Sequence, residues 1–242
     1  MKTMKKAALR AWQTGMVALA AGTLVGCGGG SDSNSTTPSN ASKATISGTA
    51  ATGAPMANAA ITIACKSGNG SGTADANGAF SISFVFAGPC AITGTDGTTT
   101  QHSFASGGGT FNVTPLTEML LTFMAAQLGT DLNGLLTGLT TNPTYQGALT
   151  SPSAVASAQN GVIQTIKNET GVTVSASSFL TTPFKPGQAG QDTDLETLKS
   201  NGALTSTGQP SPTLLDKVKT AGAAAGKPTG GTGGSGGSGN PA

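Results

Sequence analysis

The residues best suited to chemistry are few, and most of them have a plainer use. Asp192, Asp194 and Glu196 alternate along the chain and form its densest group of metal-competent oxygens. Calcium favours clustered carboxylates, which makes these three candidate calcium ligands, although the spacing lacks the rest of a known calcium loop. The competing expectation places them at a helix start, where acids cap free amides and complement the helix dipole. A Ser-His-acid triad needs a histidine, and His102 is the only one, in the polar stretch Thr98-Thr-Thr-Gln-His-Ser-Phe. It reads as a solvent-facing strand residue rather than a general base. Gly233-Gly-Ser235-Gly-Gly237 matches a nucleophile string, but a Gly/Ser tail has no strand-turn-helix to hold a serine under strain. Asp75, Asp96, Glu118 and Asp131 would suffice in number for glycoside hydrolysis, and nothing in the sequence pairs any two of them. Lys167 and Glu169 read as a solvated helix end. We therefore expect no catalytic residue, no metal set beyond the candidate acids and no cofactor.

The three cysteines carry more information. Residues 1–26 begin with Lys2, Lys5, Lys6 and Arg10, continue through an apolar stretch from Met16 to Val25, and end in small residues. These are the three parts of an export signal, and the apolar part is too short for a mature membrane span. Leu24-Val25-Gly26-Cys27 resembles the lipobox of bacterial lipoproteins. That resemblance implies cleavage before Cys27, acylation of its thiol and new amino group, and a cell-envelope location. Two or more acyl chains would hold firmly, since each buried CH₂ contributes about 0.8 kcal/mol. Gly28 rather than Asp after the cysteine implies the outer membrane by the enterobacterial sorting pattern.

Residues 27–43 are Gly-, Ser- and Thr-rich without apolar periodicity and read as a flexible tether; residues 223–242 read as a disordered Gly/Ser-rich tail. With the four leader cations removed, eight basic side chains face ten acidic ones, a net charge of −2. Nucleic-acid binding, which needs Lys and Arg to neutralise phosphates, is excluded on that ground.

From 44 to 114, short alternating runs punctuated by Gly, Asn, Asp and Pro predict a small antiparallel β-sandwich. Ile61 and Ile63 share a face with Cys65; Phe80, Ile82, Phe84 and Phe86 share one; Cys90 shares one with Ile92. Both cysteines thus face inward, and in an exported chain a Cys65–Cys90 disulfide is expected, contributing about 3 kcal/mol. The run from Gly48 through Gly53, Pro55 and Ile61 to Ile63, followed by Thr73-Ala-Asp75-Ala-Asn77-Gly78-Ala-Phe80-Ser-Ile82, resembles the carboxypeptidase regulatory-like domain. The resemblance implies a transthyretin-like (prealbumin-like) sandwich of about seven strands and no activity of its own. Asn77-Gly78 is expected to make a tight hairpin turn before the Phe80 strand.

At Thr114-Pro115 the period changes to 3.6, with Leu116, Met119, Leu120, Phe123, Met124 and Leu128 on one stripe. Thr114 is expected to cap this helix, and the same Ser-Pro start recurs at Ser151-Pro152 and Ser211-Pro212. Further short helices are expected over Leu132–Leu139 and Asp194–Lys199. Residues 115–222 thus read as a small helical unit, giving an α+β chain with disordered termini. Asn112-Val-Thr-Pro-Leu-Thr-Glu-Met and Phe184-Lys-Pro-Gly-Gln-Ala-Gly-Gln-Asp192-Thr-Asp194-Leu-Glu196 resemble segments of proteobacterial surface lipoproteins. The expected function is a non-enzymatic envelope lipoprotein, anchored in the membrane by its lipid and presenting a sandwich to a protein or glycan. The alternative is an envelope hydrolase, or an accessory subunit of one, acting on polysaccharide or peptide. Carboxylates converging on a pocket would favour the alternative, and a polar cleft without them would favour binding.

Overall fold

A computed structural model of the chain describes residues 42–228. It has a mixed α+β fold in which seven strands precede six helices. The strands are β1 (Lys43–Thr49), β2 (Ala60–Ser67), β3 (Asn69–Thr73), β4 (Ala79–Val85), β5 (Ala87–Thr95), β6 (Thr100–Ala105) and β7 (Gly109–Thr110). They form a three-stranded sheet, β4-β1-β7, and a four-stranded sheet, β3-β2-β5-β6. All pairings are antiparallel except the short β1–β7 pair, which is parallel at Ile46–Gly109 and Ser47–Thr110.

Strict alternation in β2 and β4 decides what fills the space between the sheets. Ile61, Ile63 and Cys65 point inward from one; Phe80, Ile82 and Phe84 point inward from the other. β3 carries no large apolar residue because that volume is already taken. A Cβ on Gly70 would sit 2.7 Å from Phe84 Cδ1 and 3.1 Å from Ile82 Cγ2, and one on Gly72 would sit 3.0 Å from Ile82 Cγ1. Asn77-Gly78 does not close a hairpin, since β3 and β4 lie in different sheets. The turn is instead an arch between sheets: Asp75 Oδ1 accepts the amides of Asn77 at 2.8 Å and Ala79 at 2.9 Å, and Gly78 supplies the φ of +78°.

The helices are α1 (Pro115–Gln127), α2 (Leu132–Gly138), α3 (Pro143–Thr150), α4 (Pro152–Thr170), α5 (Gln191–Ser200) and α6 (Pro212–Ala225). α3 lies outside the expected elements and uses the device of its neighbours, Asn142 Oδ1 accepting the amides of Thr144 and Tyr145 ahead of Pro143. α6 ends three residues beyond the expected end of the helical unit, and β1 starts at Lys43.

α1 is buried on all sides, with eleven of its thirteen residues buried, so it packs in the middle of the helices rather than on their surface. Thr114 caps it, exchanging hydrogen bonds with Thr117. α4 and α6 both reach its Phe123: Gly161 of α4 leaves room for the ring, and Gly222 of α6 lies against the backbone. Residues of both sheets and of all the longer helices form one contiguous apolar cluster.

The outer edge of β6 is closed by side chains. The His102 amide donates to Glu118 Oε2 at 2.6 Å, and the His102 carbonyl accepts the Thr117 hydroxyl at 2.8 Å, both from the first turn of α1. One turn of chain near residue 208 completes the closure, with Gln209 Nε2 donating to the Thr100 carbonyl and Gln101 Nε2 to the Gly208 carbonyl.

Candidate functional site

The segment between α4 and α5 has little regular structure and is fixed by a few buried polar groups. Asn112, fully buried just before α1, donates through Nδ2 to the carbonyls of Phe179 at 3.0 Å and Thr182 at 2.8 Å. Its Oδ1 accepts the Thr49 amide at 3.2 Å, and its own amide donates to the Leu180 carbonyl at 2.8 Å. Thr49 Oγ1 donates to the Phe184 carbonyl at 2.9 Å. The two segments that begin at Asn112 and at Phe184 are therefore neighbours, joined through the end of β1.

α5 starts at Gln191 after Gly190, and no side chain caps it. Its acids face the loops. Asp194 Oδ2 accepts the Ser175 amide at 2.8 Å and hydroxyl at 2.7 Å, while Asp192 Oδ2 accepts the Gly187 amide at 2.7 Å. Glu196 is exposed. The three candidate calcium ligands are not brought together; two of them brace different loops. Among the described residues, no group of three or more His, Cys, Asp or Glu side chains is placed to hold a metal ion.

Between the braced loops lies a hollow of about 480 Å³. Ser177, Ser178, Thr182, Phe184, Lys185 and Gln188 are among the residues that line it, and no carboxylate, histidine or cysteine is. Gln191 is 2% exposed, and neither its Oε1 nor its Nε2 has a hydrogen-bond partner. Asp192 Oδ1 is likewise buried and unpartnered. Nothing in the sequence marks Gln191, because an unmet hydrogen bond is a property of the assembled fold.

His102 differs from the sequence expectation. It is half-buried, not solvent-facing, with Nδ1 3.0 Å from Glu118 Oε2, whose residue is 7% exposed. The pair resembles part of a catalytic constellation, but among the described residues no hydroxyl or thiol is hydrogen-bonded to the His102 ring. The neighbouring Ser103 pairs with Ile92 on the inward side of the sheet, and the Thr117 hydroxyl donates to the carbonyls of His102 and Thr114. The arrangement fastens β6 to α1.

The remaining acids serve their own turns. Asp96 accepts from the amides of Thr98 and Thr99 and the Thr98 hydroxyl; burial pushes its pKa up, and these bonds outweigh that and hold it below the usual carboxylate range. Asp131 caps α2 through the Gly134 amide. Glu169 meets Lys217 at 3.6 Å on the surface. Cys65 and Cys90 stand opposite each other on β2 and β5 and are joined by a disulfide, both buried. Cys27 and the Gly233–Gly237 string lie outside the described residues.

No protein-family model, curated protein or solved structure matches the chain. Among the described residues, no helix is long and apolar enough to cross a membrane.

Proposed function

We propose that the chain is an exported lipoprotein, acylated at Cys27 and held in the cell envelope at the outer membrane, with a non-enzymatic binding role. The observation that carries the address is the buried Cys65–Cys90 disulfide, a bond that persists in oxidising compartments and accords with the export signal and lipobox-like sequence. Seven strands divided between a three-stranded and a four-stranded sheet support a transthyretin-like sandwich of the carboxypeptidase regulatory-like type.

A binding role is favoured over hydrolysis by the lining of the hollow beside α5, whose residues are serines, a threonine and glutamines rather than paired carboxylates. The partners are the membrane, through the lipid, and an envelope protein or glycan.

Intact mass of the membrane-extracted protein, with and without reduction, tests this reading. The expected species starts at Cys27, carries acyl chains, and is lighter than its reduced form by one pair of hydrogens. An unacylated chain with free thiols would remove both supports.

A further inference from the structure

We propose that β4 is a dimerisation edge, along which two copies of the chain pair antiparallel about a two-fold axis at Ser83. Which backbone groups of β4 are free follows from its register with β1. The Ala50 amide donates to the Gly78 carbonyl and the Phe86 amide to the Ser42 carbonyl, so even-numbered residues of β4 face β1 and odd-numbered ones face out. Ala79 is already taken on that outer line, its amide donating to Asp75 Oδ1 and its carbonyl accepting the Asp75 amide. Ser81, Ser83 and Val85 are exposed, and among the described residues nothing outside the sheet is hydrogen-bonded to their amides or carbonyls. A Cβ on Gly68 would strike the Val85 oxygen, and glycine there leaves it room.

The β6 edge of the other sheet is closed by Glu118, Thr117 and Gln209, whereas β4 has no proline, bulge or charged side chain to keep another strand away. An open edge accepts a strand, and three features select a second copy of the same chain. With Ser83 opposite its own copy, Ser81 of each copy stands opposite the partner's Val85, so every outward group from 81 to 85 meets its complement. Val85, 40% exposed, is the one large apolar side chain left open among the described residues, and the partner strand covers it. Charge agrees as well. Lys43 stands beside Val85 on β1, Asp75 lies at the other end of the edge, and both are exposed. The two-fold axis brings Lys43 of each copy to the end where the partner's Asp75 lies and opposes no like charges. The neighbouring edge of β3, Asn-Gly-Ser-Gly-Thr, has no apolar side chain to bury. So short a contact falls below a standard interface, and a Kd of about 10–100 µM is expected in solution.

The test is disulfide trapping and sedimentation of the full chain in mild detergent. Ser83→Cys should yield a covalent dimer on non-reducing gels, because residues directly opposite in such a pair lie about 5.5 Å apart at Cα, within disulfide reach. Ser81→Cys, about 14 Å from its own copy, should not, and neither should the wild type. Sedimentation of the wild type should show dimer mass at about 0.5 mM and monomer at about 1 µM. Ser83→Lys and Ser83→Glu should each weaken self-association more than about tenfold by placing like charges opposite, and mixing the two should restore it, a rescue that misfolded variants cannot give. Monomer at every concentration, trapping through Ser83 no greater than through Ser81 or in the wild type, or no rescue on mixing would each overturn the inference. A monomer whose Ser81 and Ser83 amides are protected from exchange would also overturn it and give the edge to the chain's own residues 27–41. None of these outcomes depends on acylation at Cys27.

Discussion

Glu118 holds His102 twice, taking the backbone amide at 2.6 Å and the ring Nδ1 at 3.0 Å on the same carboxylate oxygen, Oε2. A side chain on the first turn of a helix thereby occupies a place that a neighbouring strand would otherwise fill. Thr117 takes the matching carbonyl, so both ladder groups of His102 are satisfied from α1. Replacing Glu118 with Ala leaves the amide and the ring without their acceptor and should cost about 2–3 kcal/mol, whereas His102→Ala keeps the backbone bond and should cost less. Urea denaturation of both variants checks this. Equal losses would mean that the ring, not the backbone amide, is what Glu118 serves.

Gly70 lies beneath Phe84 and Ile82, with no room for a Cβ. Gly70→Ala should therefore destabilise by about 1–3 kcal/mol through overpacking, while Ser71→Ala, on the exposed face of the same strand, should stay within about 0.5 kcal/mol. Thermal unfolding of the pair decides it. A neutral Gly70→Ala would show that the two sheets can separate slightly at that edge.

Asn112 joins β1, the start of α1 and the segment over 179–182 through three side-chain hydrogen bonds. Asn112→Ala should lower stability by about 2–3 kcal/mol and act locally. Amide hydrogen exchange should speed up from 175 to 190 while β2 and β5 remain protected. Uniform acceleration across the chain would instead make Asn112 an ordinary core residue.

Asp96 has a depressed pKa in the folded chain, so it binds protons less readily there than in the unfolded one. Its contribution is fully present above the ordinary carboxylate range and is lost as pH falls through that range towards the folded value. The group is exposed, which keeps the effect small. Asp96→Asn should slightly reduce stability at neutral pH and flatten the acid limb of the stability curve. An unchanged acid limb would mean that the turn bonds do not distinguish the charged from the protonated side chain.

The parts of the fold legible in the sequence are those written in local rules. The inward faces of β2 and β4 follow from alternation, and the inward-facing cysteines fall on paired strands. Thr114-Pro115, Ser151-Pro152 and Ser211-Pro212 each open a helix capped by the hydroxyl residue. What was hidden depends on distant residues. β3 reads Asn-Gly-Ser-Gly-Thr, which looks like a loop until β4 is placed across from its glycines. α3 is short, with only Ala148 and Leu149 buried, too little for a clear period. His102 and Glu118 lie on different elements, and no periodicity within either one points to the other. Asp192 and Asp194 do start a helix, but their partners are Gly187 and Ser175 in the flanking loops, which no capping rule names.

The Phe123 ring occupies volume that Gly161 leaves vacant on α4, and the Phe123 backbone occupies volume that Gly222 leaves vacant on α6. These three positions therefore cannot drift one at a time. A larger residue at 161 requires a smaller one at 123, and any side chain at 222 requires α6 to move away from α1. In the descent of this chain growth at 161 must be matched by shrinkage at 123, so related sequences would carry the meeting of α1 and α4 as correlated volume, whereas 222, which meets backbone, must stay without a side chain for as long as α6 keeps its place.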